Sequence, residues 1–341
     1  MSEASLRAFV CGCRGTTVRP SERAFFREAR PCGLILFKRN CQTPDQIRAL
    51  VDSFRDAVGS SQAFILIDQE GGRVQRLGPP QWRAYPPARA FAMLYRKDPE
   101  HGRTAAAASA YLMGRELSAL GIDVDCAPVV DVPVPGAHDV IGDRAYGTAP
   151  EQVAALGRAV VDGLLRAGIL PVIKHVPGHG RARTDSHKTL PRIDADLDSL
   201  RQHDFVPFAA LRDMPLAMTA HVVVTPLDDQ NAVSVSRTVI GETIRGEIGF
   251  DGLLMCDDIN MRALHGRAAR KAEKVVAAGC DMVLHCSGVI REMEAVAGVT
   301  PLLSGESLRR FQAARARIVQ MSTFDEARAE ALLREALAAN P

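Results

Sequence analysis

Short apolar and β-branched runs alternate eight times with longer segments of helical period over 341 residues, which predicts an α/β chain closed into a single (β/α)8 TIM barrel with extra C-terminal helices. Two absences favour closure over an open, doubly wound sheet. No G-x-G-x-x-G follows the first strand, and no G-x-x-x-x-G-K-[ST] occurs anywhere. With 47% hydrophobic and 24% charged residues, the chain has the composition of an ordinary globular protein with a substantial core.

The strands are read, in order, over Ala8 to Cys13, Gly33 to Phe37, Ala63 to Asp68, Ile122 to Val130, Leu170 to Lys174, Leu216 to His221, Leu253 to Asp257 and Met282 to His285. Between the second and third, Ile47, Leu50, Val51, Phe54 and Val58 recur on one helical face. That helix opens with Thr43 as N-cap, Pro44 at its first position and Gln46 three residues after the cap, a capping-box pattern. Thr148-Ala-Pro-Glu151 repeats the device ahead of Val153, Leu156, Val160 and Leu164. From about Ser304 a tail rich in Ala, Arg, Glu and Leu reads as two helices on the outside of the barrel. No linker, low-complexity tract or repeat marks a second unit, so residues 1–341 are expected to form one domain.

Charge narrows the function. Forty-two basic residues against 40 acidic ones, scattered along the chain, give no electrostatic case for nucleic acid or an anionic membrane. A small molecule is the expected partner. No apolar run is long enough to cross a bilayer, and Met1-Ser-Glu-Ala shows no secretory signal, so a cytoplasmic location is expected. Eight cysteines are too sparse for a disulfide scaffold, and Cys11-x-Cys13 lacks the second pair that a metal site needs.

In a barrel, chemistry gathers where strands run out at their C-terminal ends, and polar residues concentrate there. The third strand ends in Asp68-Gln-Glu-Gly-Gly-Arg73-Val-Gln-Arg76, and the fifth in Lys174-His175-Val-Pro-Gly-His179-Gly. The sixth ends at His221 and the seventh at Asp257-Asp258, while Asp131, Asp143 and Arg144 follow the fourth. Unpaired charges crowded at one rim cost several kcal/mol unless a polar ligand or mutual pairing compensates them. The Gly-rich stretch from Gly178 leads to Asp185-Ser186-His187, where a carboxylate two residues from an imidazole can hold one ring nitrogen and leave the other to exchange a proton. An Asp held rigidly at the end of the seventh strand suits attack at an anomeric carbon. Adjacent strand residues point opposite ways, so only one of Asp257 and Asp258 is expected to face the mouth, and the pattern alone does not choose.

Taken together, Gly33-Leu-Ile-Leu-Phe37, Asp68-Gln-Glu-Gly-Gly-Arg-Val, Ile-Gly-Asp143-Arg144, Lys174-His-Val-Pro-Gly-His-Gly, Asp185-Ser-His187 and Asp257-Asp-Ile-Asn-Met261 resemble the family 3 glycoside hydrolases. The likeness is to their short, single-barrel β-N-acetylglucosaminidases of bacterial peptidoglycan recycling. The resemblance implies Asp257 as nucleophile and His187, oriented by Asp185, as acid/base; it implies Asp68, Arg76, Arg144, Lys174 and His175 as the residues holding the sugar hydroxyls. It also implies retention of configuration, a muropeptide substrate (N-acetylglucosamine β-linked to 1,6-anhydro-N-acetylmuramic acid) and no cofactor. No metal is expected either, because no helical pairing accompanies His175, His179 and His187. A monomer is expected. Two departures stand out, Cys256 where Ser or Thr is usual and Val176 where Phe is usual.

Other readings stay open on the same residues. Phosphate could replace water as acceptor, giving a phosphorylase. A β-glucosidase, a silent muropeptide-binding protein and a metal-dependent barrel hydrolase are the remaining alternatives.

Overall fold

The computed structural model describes residues 5–318 and 324–339. The first four residues, on which the reading of the N-terminus rests, lie outside the described residues. Eight strands form the barrel: β1 (Arg7–Cys11), β2 (Pro31–Leu36), β3 (Phe64–Ile67), β4 (Val124–Asp125), β5 (Leu170–Val176), β6 (Leu216–Thr219), β7 (Leu253–Cys256) and β8 (Val283–His285). They lie side by side in chain order and every pair is parallel, with β8 returning to pair with β1. Between β7 and β8 the ring closes through a parallel bridge of Met255 with Met282, and the Cys256 N–H donates to the Met282 carbonyl at 3.3 Å. Parallel strands buried on both faces read as continuous apolar runs, which is why Phe64-Ile-Leu-Ile67 and Leu253-Leu-Met-Cys256 are buried throughout.

The helices between the strands follow from their apolar faces. Helix α1 (Pro20–Ala29) and helix α2 (Pro44–Val58) bring Phe26 and Phe54 together edge to face, with centroids 5.1 Å apart. Phe54 is fully buried. Phe54→Ala should therefore lower the unfolding free energy by about 3–5 kcal/mol, read as a shift in denaturant midpoint.

Thr43 does cap α2, accepting from the Gln46 N–H, but the Gln46 side chain accepts from Gln42 rather than from the Thr43 N–H. The reciprocal half of the box is thus shifted one residue outward. Helix α3 (Ala88–Lys97) leads into α4 (Pro99–Ser118), which packs against α5 (Pro150–Arg166). That crossing needs Gly163, where a Cβ would stand 2.3 Å from the Ala107 carbonyl oxygen. Helix α5 departs from expectation at its start, because Ala149 occupies the N-cap and no side chain caps it. Pro150 alone carries the start signal there.

The fourth strand is also shorter than the run Ile122 to Val130 suggests. Pro128 has no N–H to donate, so the regular ladder stops, although Val130 still donates to the Lys174 carbonyl at 2.8 Å. Strand β5 instead runs two residues beyond expectation, and its pairing with β6 slips by one residue between Lys174 and Val176. That bulge lets two successive residues, Lys174 and His175, border the same cleft.

Helices α6 (Val206–Ala210), α7 (Ala268–Ala278) and α8 (Ile290–Ala297), with a π-helical segment Val239–Glu247 between β6 and β7, continue the outer layer, and the tail forms α9 (Gly305–Arg315) and α10 (Glu326–Ala338). Phe311 of α9 packs on Phe64, and α10 packs on α4. Among the described residues, no helix is long and apolar enough to cross a membrane.

Candidate active site

A cleft of about 290 Å³ opens at the C-terminal ends of the strands, bordered by Asp68, Glu70, Arg144, His175, His187 and Asp257 among others. A larger cavity, about 570 Å³, lies at the other end, between Leu6, Ser60 and α9, and among its described lining residues only Arg315 carries a charge. The chemistry belongs to the smaller cleft.

One wall is a chain of alternating charges. Arg76 Nη2 donates to Asp68 Oδ2 at 2.9 Å, and Lys174 Nζ donates to Asp68 Oδ1 at 3.1 Å. The same ammonium lies 2.7 Å from Glu70 Oε1, and Arg144 grips Glu70 with Nε and Nη2 at 2.7 and 2.8 Å. Burial pushes the Asp68 and Glu70 carboxyls up, but the Lys174, Arg76 and Arg144 charges outweigh it and hold both below their ordinary values. Three cations and two anions leave one net positive charge on a wall rich in fixed donors, an arrangement suited to sugar hydroxyls.

Sequence reasoning missed Glu70 as a member of this wall. The signal was present: Glu70 stands two residues from Asp68 in an extended stretch, and so on the same side. Arg73 and Asp143, also at the rim, pair with each other at 2.8 Å and do not border the cleft.

Behind this wall Asp131, fully buried, accepts from His175 Nδ1 at 2.7 Å and from the His179 backbone N–H at 2.6 Å. Its carboxyl is held low because His175 outweighs the burial that would raise it. His175 is thereby fixed at one ring nitrogen. His179 is buried, which brings its ring down to about 4 and keeps it neutral at pH 7, and its Nε2 lies 3.3 Å from Ser186 Oγ. This contact ties the Asp185–His187 loop to the barrel.

The loop itself has the geometry its spacing predicts. Asp185 Oδ1 accepts from both the backbone N–H and the Nδ1 of His187, each at 2.9 Å. Partial burial pushes Asp185 up, but these bonds to His187 bring it down, so it is a carboxylate at neutral pH. The His187 side chain is 65% exposed and borders the cleft, and among the described residues its Nε2 has no hydrogen-bond partner, which leaves it available for proton exchange.

Asp257 and Asp258 both border the cleft, which corrects the expectation that only one could face the mouth. Strand β7 ends at Cys256, so the alternation of a ladder no longer governs the two residues after it. Their surroundings still separate them. Asp258 Oδ1 accepts from the Asn260 N–H at 3.0 Å and the Cys286 N–H at 3.1 Å, which closes the turn. Among the described residues, Asp257 Oδ1 accepts only the adjoining Asp258 N–H, at 2.8 Å.

Burial drives Asp258 up to about 6, helped by the Asp257 charge. Burial would also raise Asp257, but His221, His175 and Lys174 hold it below its ordinary value. Asp257 is thus the carboxylate that ionises first, while Asp258 keeps its proton up to about pH 6. His221 is fully buried beneath it, with Nδ1 2.6 Å from Ser234 Oγ and Nε2 donating to the Asp258 carbonyl at 3.1 Å.

Because Asp258 is raised on folding, its contribution to stability is present below the ordinary carboxylate value and lost as pH rises through about 6. Asp258→Asn should therefore be more stable than the parent at pH 8, by about 1–3 kcal/mol, with the difference vanishing near pH 4. Paired denaturation curves at the two pH values check this.

The two departures lie in the core. Val176 is 1% exposed, and Cys256 is fully buried with its Sγ accepting from the Leu284 N–H at 3.4 Å. Cys11 and Cys13 are buried too, their thiols directed to the carbonyls of Gly33 and Gly15 respectively. Among the described residues, no group of three His, Cys, Asp or Glu is arranged to hold a metal ion.

Residues 14–321 match the glycosyl hydrolase family 3 N-terminal domain. The chain belongs to glycoside hydrolase family 3. A beta-hexosaminidase of Alkalilimnicola ehrlichii is 41% identical over 286 residues, spanning 83% of this chain and 81% of that protein. A second, from Pseudomonas aeruginosa, is 38% identical over 80% of both. The crystal structure of NagZ from Neisseria gonorrhoeae in complex with N-trifluoroacetyl-D-glucosamine superposes with a TM-score of 0.88 at 29% identity, covering 98% of this chain and 99% of that one. This family 3 chain is a glycoside hydrolase of the β-hexosaminidase class, built on the α/β barrel described above.

Proposed function

We propose that the protein removes terminal β-linked N-acetylglucosamine from muropeptides in cytoplasmic peptidoglycan recycling, as a monomer, with retention of configuration. The observation that carries this reading is the placement of a carboxylate-held imidazole, Asp185–His187, on the same cleft as the ionised Asp257. In the first step Asp257 attacks the anomeric carbon while His187 Nε2 gives its proton to the leaving oxygen, forming a glycosyl ester and a free alcohol. In the second, neutral His187 takes a proton from water, whose oxygen attacks the anomeric carbon and releases Asp257. Asp68, Arg76, Arg144, Lys174 and His175 hold the sugar hydroxyls, with Glu70 keeping Lys174 and Arg144 in place.

Hydrolysis of 4-nitrophenyl N-acetyl-β-glucosaminide followed by proton NMR tests the reading. The first-formed sugar should be the β-anomer, and the matching β-glucoside should be cleaved far more slowly. Release of the α-anomer first would overturn the two-step route. Repeating the reaction with inorganic phosphate separates hydrolysis from phosphorolysis, since a sugar 1-phosphate forms only in the latter.

A further inference from the structure

His221 ends the sixth strand segment at the charged rim, yet it belongs neither to the sugar wall nor to the Asp185–His187 pair. It follows β6 by two residues, is fully buried and does not border the cleft, whereas Met218 of the same strand does. A sugar in the cleft is therefore out of its reach. Burying an imidazole is costly unless both ring nitrogens find partners, and both do.

One nitrogen is braced. Nδ1 lies 2.6 Å from Ser234 Oγ, and that hydroxyl also accepts from Thr219 Oγ1 at 2.9 Å and lies 2.9 Å from the Ala220 carbonyl oxygen. Thr219 and Ser234 are themselves fully buried, and the turn bearing Ser234 is pinned where the Val233 N–H donates to the Val222 carbonyl at 2.9 Å. A ring turned over would put carbon where each nitrogen now has a partner, so the brace fixes the direction of Nε2. The Asp258 carbonyl has no proton to give, so Nε2 must carry one and donate it across 3.1 Å. The same carbonyl also accepts from the Met261 N–H at 3.0 Å.

From Asp258 the restraint passes to its neighbour. The Asp258 carboxylate accepts from the Asn260 and Cys286 N–H groups, its carbonyl accepts from His221, and its own N–H donates to Asp257 Oδ1. Asn260 is local and Cys286 follows β8; among the described residues, only His221 hydrogen-bonds Asp258 from the β6 side. We propose that His221 is a positioning residue for the nucleophile: its Nε2–H, aimed by Ser234 and Thr219, fixes the Asp258 backbone and thereby the direction in which Asp257 presents its other carboxylate oxygen to the anomeric carbon. The inference rests on the reading of Asp257 as nucleophile and deepens it. A reacting atom misplaced by about 1 Å can cost about 10²-fold in rate, so a bond made outside the cleft can govern the step inside it.

The test sets two amides against each other. In His221→Gln the side-chain amide can reach the place of Nε2 and donate to the Asp258 carbonyl, whereas in His221→Asn it stops at the place of Nδ1, keeping the Ser234 contact and losing the donor. For each variant, kcat/KM on 4-nitrophenyl and on methyl N-acetyl-β-glucosaminide reads formation of the glycosyl ester, and the affinity for free N-acetylglucosamine reads the sugar wall. His221→Asn should lower kcat/KM by about 10- to 100-fold, equally on both glycosides and with sugar affinity unchanged, while His221→Gln stays within about threefold of the parent. Equal rates in the two variants would overturn the proposal. So would a loss confined to the methyl glycoside, which would place the effect on His187, or a fall in sugar affinity as large as the fall in rate. Ser234→Ala frees the ring but leaves its donor, and covers the case in which a His221 variant does not fold: it should slow the same step several-fold, and an unchanged rate would overturn the brace. Silence of the parent on both glycosides would overturn the hydrolase reading and the positioning role with it.

Discussion

Asp257→Ala is expected to reduce turnover of 4-nitrophenyl N-acetyl-β-glucosaminide by roughly 10⁴-fold or more, with little change in stability. Nitrophenol is a good leaving group, so the loss cannot be blamed on missing proton donation. It isolates the missing nucleophile. The fold should survive, because among the described residues Asp257 makes one hydrogen bond, accepting from its neighbour's N–H, whereas the turn is closed through Asp258. Azide supplied to the variant should restore nitrophenol release and yield an α-glycosyl azide, since the small anion enters from the face that Asp257 leaves open. Azide rescue with a β-linked product would contradict the assignment.

The second large effect belongs to the imidazole. His187→Ala should lower kcat by about 10²–10⁴-fold on an alkyl N-acetylglucosaminide, whose leaving oxygen needs a proton. On the nitrophenyl glycoside, formation of the glycosyl ester should suffer far less, which pre-steady-state release of nitrophenol would show. Equal losses across leaving groups would count against a proton donor. His187 is exposed and bonded only to Asp185 among the described residues, so its removal leaves the core untouched.

Much of this was legible in the sequence because the controlling physics is local. A strand buried on both faces leaves a continuous apolar run, and a covering helix leaves a 3.6-residue stripe, so the eight-fold alternation carried the barrel. Asp185 and His187 were legible for the same reason: two residues of chain bring a carboxylate to an imidazole without help from the rest of the fold.

What was not legible depends on contacts between distant segments. Glu70 joins Lys174 to Arg144 across 104 and 74 residues of chain; its spacing from Asp68 marks the side it faces, but those two partners come from distant segments. The choice between Asp257 and Asp258 turned on where β7 stops and on the Cys286 N–H arriving from the end of β8. Thr148 looked like a cap because its local pattern was right, yet the helix began one residue later than that pattern required.

The most direct test of the account is to trap the sugar on the enzyme. A 5-fluoro N-acetylglucosaminyl fluoride, which slows the second step more than the first, should leave one fluorinated sugar per chain, found by peptide mass mapping on the peptide holding Asp257 and localised to that residue by fragmentation. A label on Asp258 or elsewhere, or steady turnover of the reagent with no covalent adduct, would contradict it.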